Sequence, residues 1–226
     1  DINTEMIRVW IQDINMPRIA KMARANQPGI LVVDRTVHGE YENYRTPEQS
    51  IPIVKPDYPW ESCITLGDSW YAIPNEKYKS INWTIHTLVK IVSKGGNLLL
   101  GIGPDKTGDL VPEMYKRLEE IGAWMNINGE AIYNTKPLTP YEQDKYCFTQ
   151  SKDEKVKYMF YLLNENDLIP DQIVIPSHFK SSSTIQILGY DKPIPVIQEN
   201  GLTYIEIPKD LKIKLKGTPA LVIKSL

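Results

Sequence analysis

Two cysteines, three histidines and three phenylalanines are all that 226 residues contain of those types. Each scarcity removes a class of chemistry. Cys63 and Cys147 stand far apart and form no CxxC, which disfavours a thiolate metal centre or a redox pair; two free, buried thiols are expected. His38, His86 and His178 make no HExxH, and His38-Gly39-Glu40 has no later Cys pair to complete a zinc deaminase motif. No run of about 18 apolar residues occurs, so no membrane-spanning helix is expected. Cationic excess is missing too: 26 Lys and Arg against 28 Asp and Glu give a formal charge of -2. Without a basic cluster, a nucleic-acid partner is not expected. The opening "DINTEMIRVW" carries neither an initiator Met nor the basic start, apolar stretch and cleavage site of a signal peptide. We therefore expect the chain to begin partway through a longer protein.

What is present is an ordinary globular balance, 42% hydrophobic and 24% charged, with 13 Tyr and 5 Trp dominating the aromatics. Rings with a polar handle suit sugar contacts and interfaces, though strands favour them as well. Helical spacing over residues 14–27 ends at Pro28-Gly29. The run "GILVVD" follows, with no alternation, as expected of a strand buried on both faces in a parallel sheet. "SCITLGDSW" reads as the next strand. The spacing of Tyr78, Ile81, Ile85, Leu88 and Val92 then predicts a helix from about Asn75 to Ser93, ended by Gly95-Gly96. "NLLLGIGP" reads as a third buried strand, and Pro112 opens a helix with Met114, Leu118, Ile121 and Met125 inward. This alternation predicts a parallel sheet with helices outside and polar residues gathered where strands end.

From about Pro140 the pattern changes. "KVKYMFYLL", "QIVIP", "TIQILG", "TYIEIP", "KIKLKG" and "ALVIKS" read as short strands of an antiparallel sandwich. The boundary is expected within "NTKPLTP", dividing the chain into residues 1–138 and 139–226.

Gly101-Ile-Gly103-Pro-Asp-Lys106-Thr-Gly108 fails both nucleotide-loop patterns, since Lys106 stands where a dinucleotide fingerprint needs Gly and no Gly precedes it as in a P-loop. It reads as a turn ending a strand. No GxSxG elbow points to serine catalysis. The Asn82-Trp83-Thr84 sequon falls within a predicted helix, which argues against its use. Carboxylates remain. Cleaving a glycosidic bond takes two, one of which keeps its proton near neutral pH. Glu42, Glu48, Glu61 and Asp68 all fall in the two loops above the expected sheet, where a solvated charged surface is the plainer alternative.

Three stretches together resemble the retaining alpha-L-fucosidases, a glycoside hydrolase family: "VVDRTVHGEYENYRTPEQ", "PWESCITLGDSWY" and "LVKIVSKGGNLLLGIGPDKTGDLVPEMYKRLEEIGAWMNINGEAIY". The last is the most specific, joining Gly-Gly-Asn-Leu-Leu-Leu to Ile-Gly-Pro and a helix ending Asn-Gly-Glu-Ala-Ile-Tyr. The resemblance spans about residues 13–135. It implies an α/β plus all-β chain: the later part of a (β/α)8-like barrel followed by an antiparallel β-sandwich. It also implies residue roles. Arg35 would hydrogen-bond the sugar, and Trp70 would pack on the apolar side of fucose. Glu48 would be the general acid/base, with Glu61 its rival for that role. No cofactor and no metal are implied.

Departures occur at Ser69-Trp70-Tyr71-Ala72, where the family often has Ser-Trp-Gly-Tyr, and at Gly101, where it often has Asn. The family's nucleophile, an aspartate in a Trp-x-Asp-Gly setting, has no match, and neither Asp1 nor Asp13 is assigned its role. "VWIQDINMP" resembles the segment that follows that strand. The resemblance thus implies fucosylated glycan or L-fucose as substrate, an upstream segment carrying the nucleophile, and a periplasmic or secreted location. A second reading is a non-catalytic chain that binds sugar weakly, self-associates or assembles with another polypeptide, because a partial barrel leaves sheet edges and apolar faces unpaired.

Overall fold

The computed structural model describes residues 15–33, 40–179 and 184–226. Helix α1 (Met16–Asn26) starts where Asn15 caps the Arg18 amide and Pro17 occupies the first turn, a position that needs no N–H donor. Arg24 fastens it to the returning chain by donating to the Tyr41 carbonyl and to Asn43 Oδ1, at 2.9 and 3.2 Å.

The run after α1 departs from expectation. Its described part, up to Val33, forms a single parallel bridge to Tyr44, and Leu31 is 69% exposed. It is not a strand buried on both faces. One edge pairs, with the Asn43 side chain and amide taking up the Val32 backbone groups. Among the described residues nothing covers Leu31. The next segment, 45–49, runs parallel to β1 (Glu61–Thr65) through alternating bonds: Arg45 N–H to the Pro59 carbonyl, Glu61 N–H to Arg45, Cys63 N–H to Pro47 and Gln49 N–H to Cys63. The one rung that would start from residue 47 is missing because proline has no N–H. The ladder is therefore interrupted into the separate bridges Arg45–Trp60 and Glu48–Cys63. β1 in turn pairs in parallel with β2 (Asn97–Gly101), Cys63 opposite Leu99 and Thr65 opposite Gly101.

Helix α2 (Ile81–Ser93) begins six residues later than its periodicity suggested. Ser80 caps it by accepting from the Trp83 amide at 3.2 Å, and the Lys79 amide is already committed to the Leu66 carbonyl. Residues 75–80 thus belong to the loop after β1. Helix α3 (Pro112–Asn128) follows a loop in which Asp105 Oδ1 accepts from the Thr107 and Asp109 amides, the turn expected there.

Antiparallel pairing begins with β3 (Thr135–Gln143), which continues into β4 (Tyr146–Ser151), β5 (Lys157–Leu162), β6 (Gln172–Ile175), β7 (Ile185–Ile187), β8 (Val196–Glu199), β9 (Leu202–Glu206) and β10 (Ala220–Ser225). One sheet has the order β3-β4-β5-β10-β7 and the other β6-β9-β8. Strand alternation divides their side chains cleanly. Phe148, Met159, Leu221 and Ile223 meet Ile173, Ile175 and Ile205 between the sheets. Cys147, Phe160, Leu162 and Val222 face Ile85 and Val89 of α2 and Trp124 of α3. The "KIKLKG" stretch is a correction. Lys209–Lys214 forms the short helix α4 after Pro208, with only Leu211 buried and Ile213 78% exposed. The expected strand, residues 212–217, thus divides between the end of this helix and the turn after it, where Leu215 packs against the core. No helix among the described residues is long and apolar enough to cross a membrane.

Salt bridges join α2 to β3: Glu142 accepts from Lys90 at 2.8 Å and Lys94 at 3.0 Å. Burial acts to raise the Glu142 pKa, and the two ammonium groups outweigh it, so the net shift is downward. A carboxylate depressed in the folded state stabilises above its unfolded pKa and loses that contribution as pH falls through the folded one. Glu142→Gln should therefore lower the melting temperature near pH 7 by about 2–4 °C, as for a loss of about 1 kcal/mol in a chain of this size. The difference should begin to shrink as the pH falls below about 4.3 and vanish once it lies below the depressed folded value. Thermal melts of both proteins across pH 3–7 test this; a difference independent of pH would contradict it.

Candidate functional site

The parallel strands present two faces of different character. Trp60, Ile64 and Leu98 pack on Ile91 of α2. Alternation puts Glu61, Cys63, Thr65, Leu99 and Gly101 on the opposite face, and the Glu48–Cys63 bridge adds Glu48 to it. Leu99 is 48% exposed there, so "NLLLGIGP" is not buried on both faces as expected. Cys63 is half-buried and Cys147 fully buried, and neither is in a disulfide; the expectation of two buried thiols holds for Cys147 alone. Burial pushes the Cys147 thiol up to about 12, so it is inert.

Trp70 stands at the carboxyl end of this same face. Its ring lies against Gly101, where a Cβ would come within 2.9 Å of the ring. The departure to glycine at position 101 thus has a steric reason: the indole occupies the space a side chain would fill. Gly103 has another. A Cβ there would lie 2.7 Å from the Tyr71 carbonyl carbon and 2.9 Å from the Ala72 nitrogen, so backbone crosses backbone at contact distance. The Ala72 amide donates to the Pro104 carbonyl across that crossing.

The four carboxylates separate by position. Glu42 is held by Arg45, whose Nε donates at 2.7 Å and whose guanidinium lies over the Tyr58 ring. Asp68 is exposed on the loop after β1. Glu48 lies level with Cys63, two residues from the end of β1. Glu61 opens β1, and its amide is bonded to the Arg45 carbonyl. It stands two residues nearer the amino end than Glu48, about 7 Å along the strand. Glu48, level with the middle of β1, and Trp70, at the carboxyl end, therefore share one face; Glu61 lies on that face too, at the amino end of the strand. Arg35 lies outside the described residues, as do Asp1, Asp13 and His38.

Sequence reasoning missed the groups that hold the strand ends. Gln49 donates from its amide to Thr65 Oγ1 at 3.1 Å, and Thr65 Oγ1 donates to the Gly67 carbonyl at 2.8 Å. Lys79 Nζ donates to the Thr65 carbonyl and lies 4.8 Å from the centre of the Trp83 ring. Burial lowers the Lys79 pKa, partly offset by the charge of Asp68. Counting residues 75–80 as helix hid this cluster. His86 and Asn82 are occupied elsewhere, on the Pro219 and Leu163 carbonyls. Among the described residues no three His, Cys, Asp or Glu side chains gather as a metal site would require.

A family model described as alpha-L-fucosidase matches residues 1–130. The chain is 43% identical over 104 residues to the tissue alpha-L-fucosidase of Bos taurus, covering 44% of this chain and 22% of that one. It is 28% identical over 171 residues to an alpha-L-fucosidase of Branchiostoma floridae, covering 73% and 37%. Among solved structures, alpha-L-fucosidase isoenzyme 1 from Paenibacillus thiaminolyticus superposes with a TM-score of 0.79 at 24% identity, over 92% of this chain and 52% of that one. The Thermotoga maritima alpha-fucosidase in complex with fucose gives 0.76 at 25% identity, over 94% and 48%. The chain thus spans well under half the length of these curated relatives and about half that of the solved ones.

Gly103→Ala should cost about 1–3 kcal/mol in denaturant unfolding, the usual penalty for overpacking. Gly122→Ala, in the middle of α3 with nothing within 4 Å of the added methyl, should instead stabilise, by at most about 1 kcal/mol. Equal effects at the two positions would show that the backbone crossing is not tight.

Proposed function

The chain belongs to the alpha-L-fucosidase family, and on that premise we propose that it is part of an exo-acting glycoside hydrolase. The enzyme removes terminal alpha-L-fucose from glycans with retention of configuration. The later portion of a (β/α)8-like catalytic unit ends just before β3, a few residues earlier than the 138/139 boundary expected from sequence because Thr135–Pro137 already pair with β4, and the rest of the chain is a β-sandwich packed against it. Glu48 is the general acid/base. Arg35 hydrogen-bonds the sugar, and Trp70 offers an aromatic surface to its apolar side.

In the first step a carboxylate supplied by polypeptide upstream of this chain attacks the anomeric carbon. As the glycosidic C–O bond breaks, Glu48 gives its proton to the departing oxygen, and a covalent fucosyl-enzyme forms. In the second step the Glu48 carboxylate takes a proton from water as that water attacks the anomeric carbon and releases the nucleophile. The observation that carries this reading is the common placement of Glu48 and Trp70 on one face, with Glu48 nearer than Glu61 to the carboxyl ends of the parallel strands, where barrel enzymes bind substrate. Glu61 opens β1, away from that end, and is the weaker candidate. Exposed Leu31 and Leu99 on the same side support cover by further polypeptide. A periplasmic or secreted location goes with a glycan substrate.

Glu48→Gln should lower hydrolysis of a natural fucosylated glycan by about 10²- to 10⁴-fold, with a smaller loss on a fucoside whose leaving group needs no proton. Glu61→Gln should stay within a few-fold of the unsubstituted enzyme. Steady-state assays of the intact protein on both substrates decide the matter. Unaltered glycan hydrolysis by Glu48→Gln removes Glu48 from the mechanism, and the reverse pattern transfers the role to Glu61.

A further inference from the structure

An exposed tryptophan on a long loop makes a poor binding surface unless the loop is held. Trp70 is 45% exposed and lies in the first third of the connection from β1 to α2. The loop itself contains no helix or strand, and the ring is backed by Gly101 at the end of β2. The residue just before Trp70 is fastened by a side chain: the Ser69 N–H donates to Glu76 Oε1 at 3.1 Å. The other carboxylate oxygen accepts from the Tyr78 hydroxyl at 3.2 Å. Burial raises the Tyr78 pKa, and the Glu76 charge raises it further, keeping that hydroxyl a donor.

Space for the carboxylate comes from a glycine. A Cβ at Gly67 would lie 2.1 Å from Glu76 Oε1 and 2.6 Å from its carboxyl carbon. The Glu76 amide also closes a turn onto the Ile73 carbonyl. Glu76 therefore bridges the two limbs of the loop, with one end reaching the strand side beside Gly67 and the other the helix side at Tyr78. The far side of the Trp70 ring is limited by Gly101 and the following backbone by Gly103. Of these three restraints, the carboxylate is the only one a side-chain substitution removes without adding bulk.

We propose that Glu76 is a positioning residue for the sugar site: its carboxylate holds the Ser69 amide and thereby fixes the Trp70 ring over Gly101. The inference rests on the reading of Trp70 as the surface that meets fucose. Glu76 does not touch the reacting atoms, so its loss weakens binding of ground state and transition state alike. That raises KM and leaves kcat nearly unchanged. A charge-assisted hydrogen bond is enough to make the effect about tenfold.

The test compares Glu76→Ala, Glu76→Gln and Tyr78→Phe in the intact protein with three readouts. Amide hydrogen exchange reports on Ser69. The fluorine resonance of 5-fluorotryptophan at position 70, assigned by its loss in Trp70→Phe, reports on the ring. Kinetics on an activated fucoside separate KM from kcat. In Glu76→Ala the Ser69 amide should exchange about tenfold faster or more, the Trp70 resonance should shift or broaden, and KM should rise about tenfold with kcat within about threefold. Glu76→Gln keeps an acceptor oxygen and should restore most of all three. Tyr78→Phe should fall between them. Unchanged Ser69 exchange and Trp70 resonance in Glu76→Ala overturn the proposal, as does a loss confined to kcat. If the loop loosens as expected while the unsubstituted protein neither binds nor cleaves any fucoside, the positioning role stands and the fucosidase reading falls. If Glu76→Ala does not fold, failure of Glu76→Gln to preserve the resonance and the KM of the unsubstituted protein overturns the proposal.

Discussion

Helix α2 is held between two sheets, and that double burial governs the rest of the molecule. Ile91 packs into Trp60 and Ile64 of the parallel strands, while Ile85 and Val89 pack into Phe160 and Val222 of the antiparallel sheet. Thr84, Thr87 and Ser93 are buried as well, so the helix has little surface left for solvent. Polar fastenings add direction to this packing. Asn82 reaches the Leu163 carbonyl, His86 the Pro219 carbonyl, and Lys90 and Lys94 converge on Glu142. An element gripped on both sides cannot shift relative to either sheet without opening a cavity in one of them.

That constraint reaches the site through the start of the helix. Because Ser80 caps α2 and the Lys79 amide is bonded to the Leu66 carbonyl just after β1, the connection between them has fixed ends. Within those ends the loop is shaped by close approaches at Gly67, Gly101 and Gly103, where side chain or backbone from the loop occupies the volume a Cβ would need. The consequence is an aromatic ring standing over the carboxyl end of a parallel sheet. Glu48 occupies the same face because of an unbroken register that one proline conceals. Alpha-L-fucosidase chemistry, as proposed, uses a proton donor and an aromatic surface set on one side in this way.

Periodicity succeeded where burial is one-sided. α3 was legible from Pro112 and its apolar spacing, and β5, β6, β9 and β10 from β-branched and aromatic runs between turns; α1 was legible as a helix after Pro17, but Ile19 and Met22 of its apolar spacing are exposed and Met16 and Ala20 are the buried residues. It failed where neighbours decide the state. Lys209–Lys214 carries an alternating pattern yet is a helix, since one buried leucine anchors it after a proline. Residues 75–80 continue a helical spacing yet form a loop, since Ser80 and Lys79 take other partners. β3, β4 and β8 were missed although each pairs with a strand next to it in sequence; in β3 the reason is that Pro137 and Pro140 read locally as breakers.

Family membership was legible in the linear chain, because Gly-Gly-Asn-Leu-Leu-Leu, Ile-Gly-Pro and Asn-Gly-Glu-Ala-Ile-Tyr are local strings that survive without coordinates. The mixed α/β and antiparallel β content was equally legible, being a matter of spacing along the chain. Which carboxylates share a face, why glycine stands at 101, and what Glu76 holds were not. Those depend on register across strands and on distances of a few ångströms between residues as far apart in sequence as Trp70 and Gly101, and such relations exist only once the chain has packed against itself.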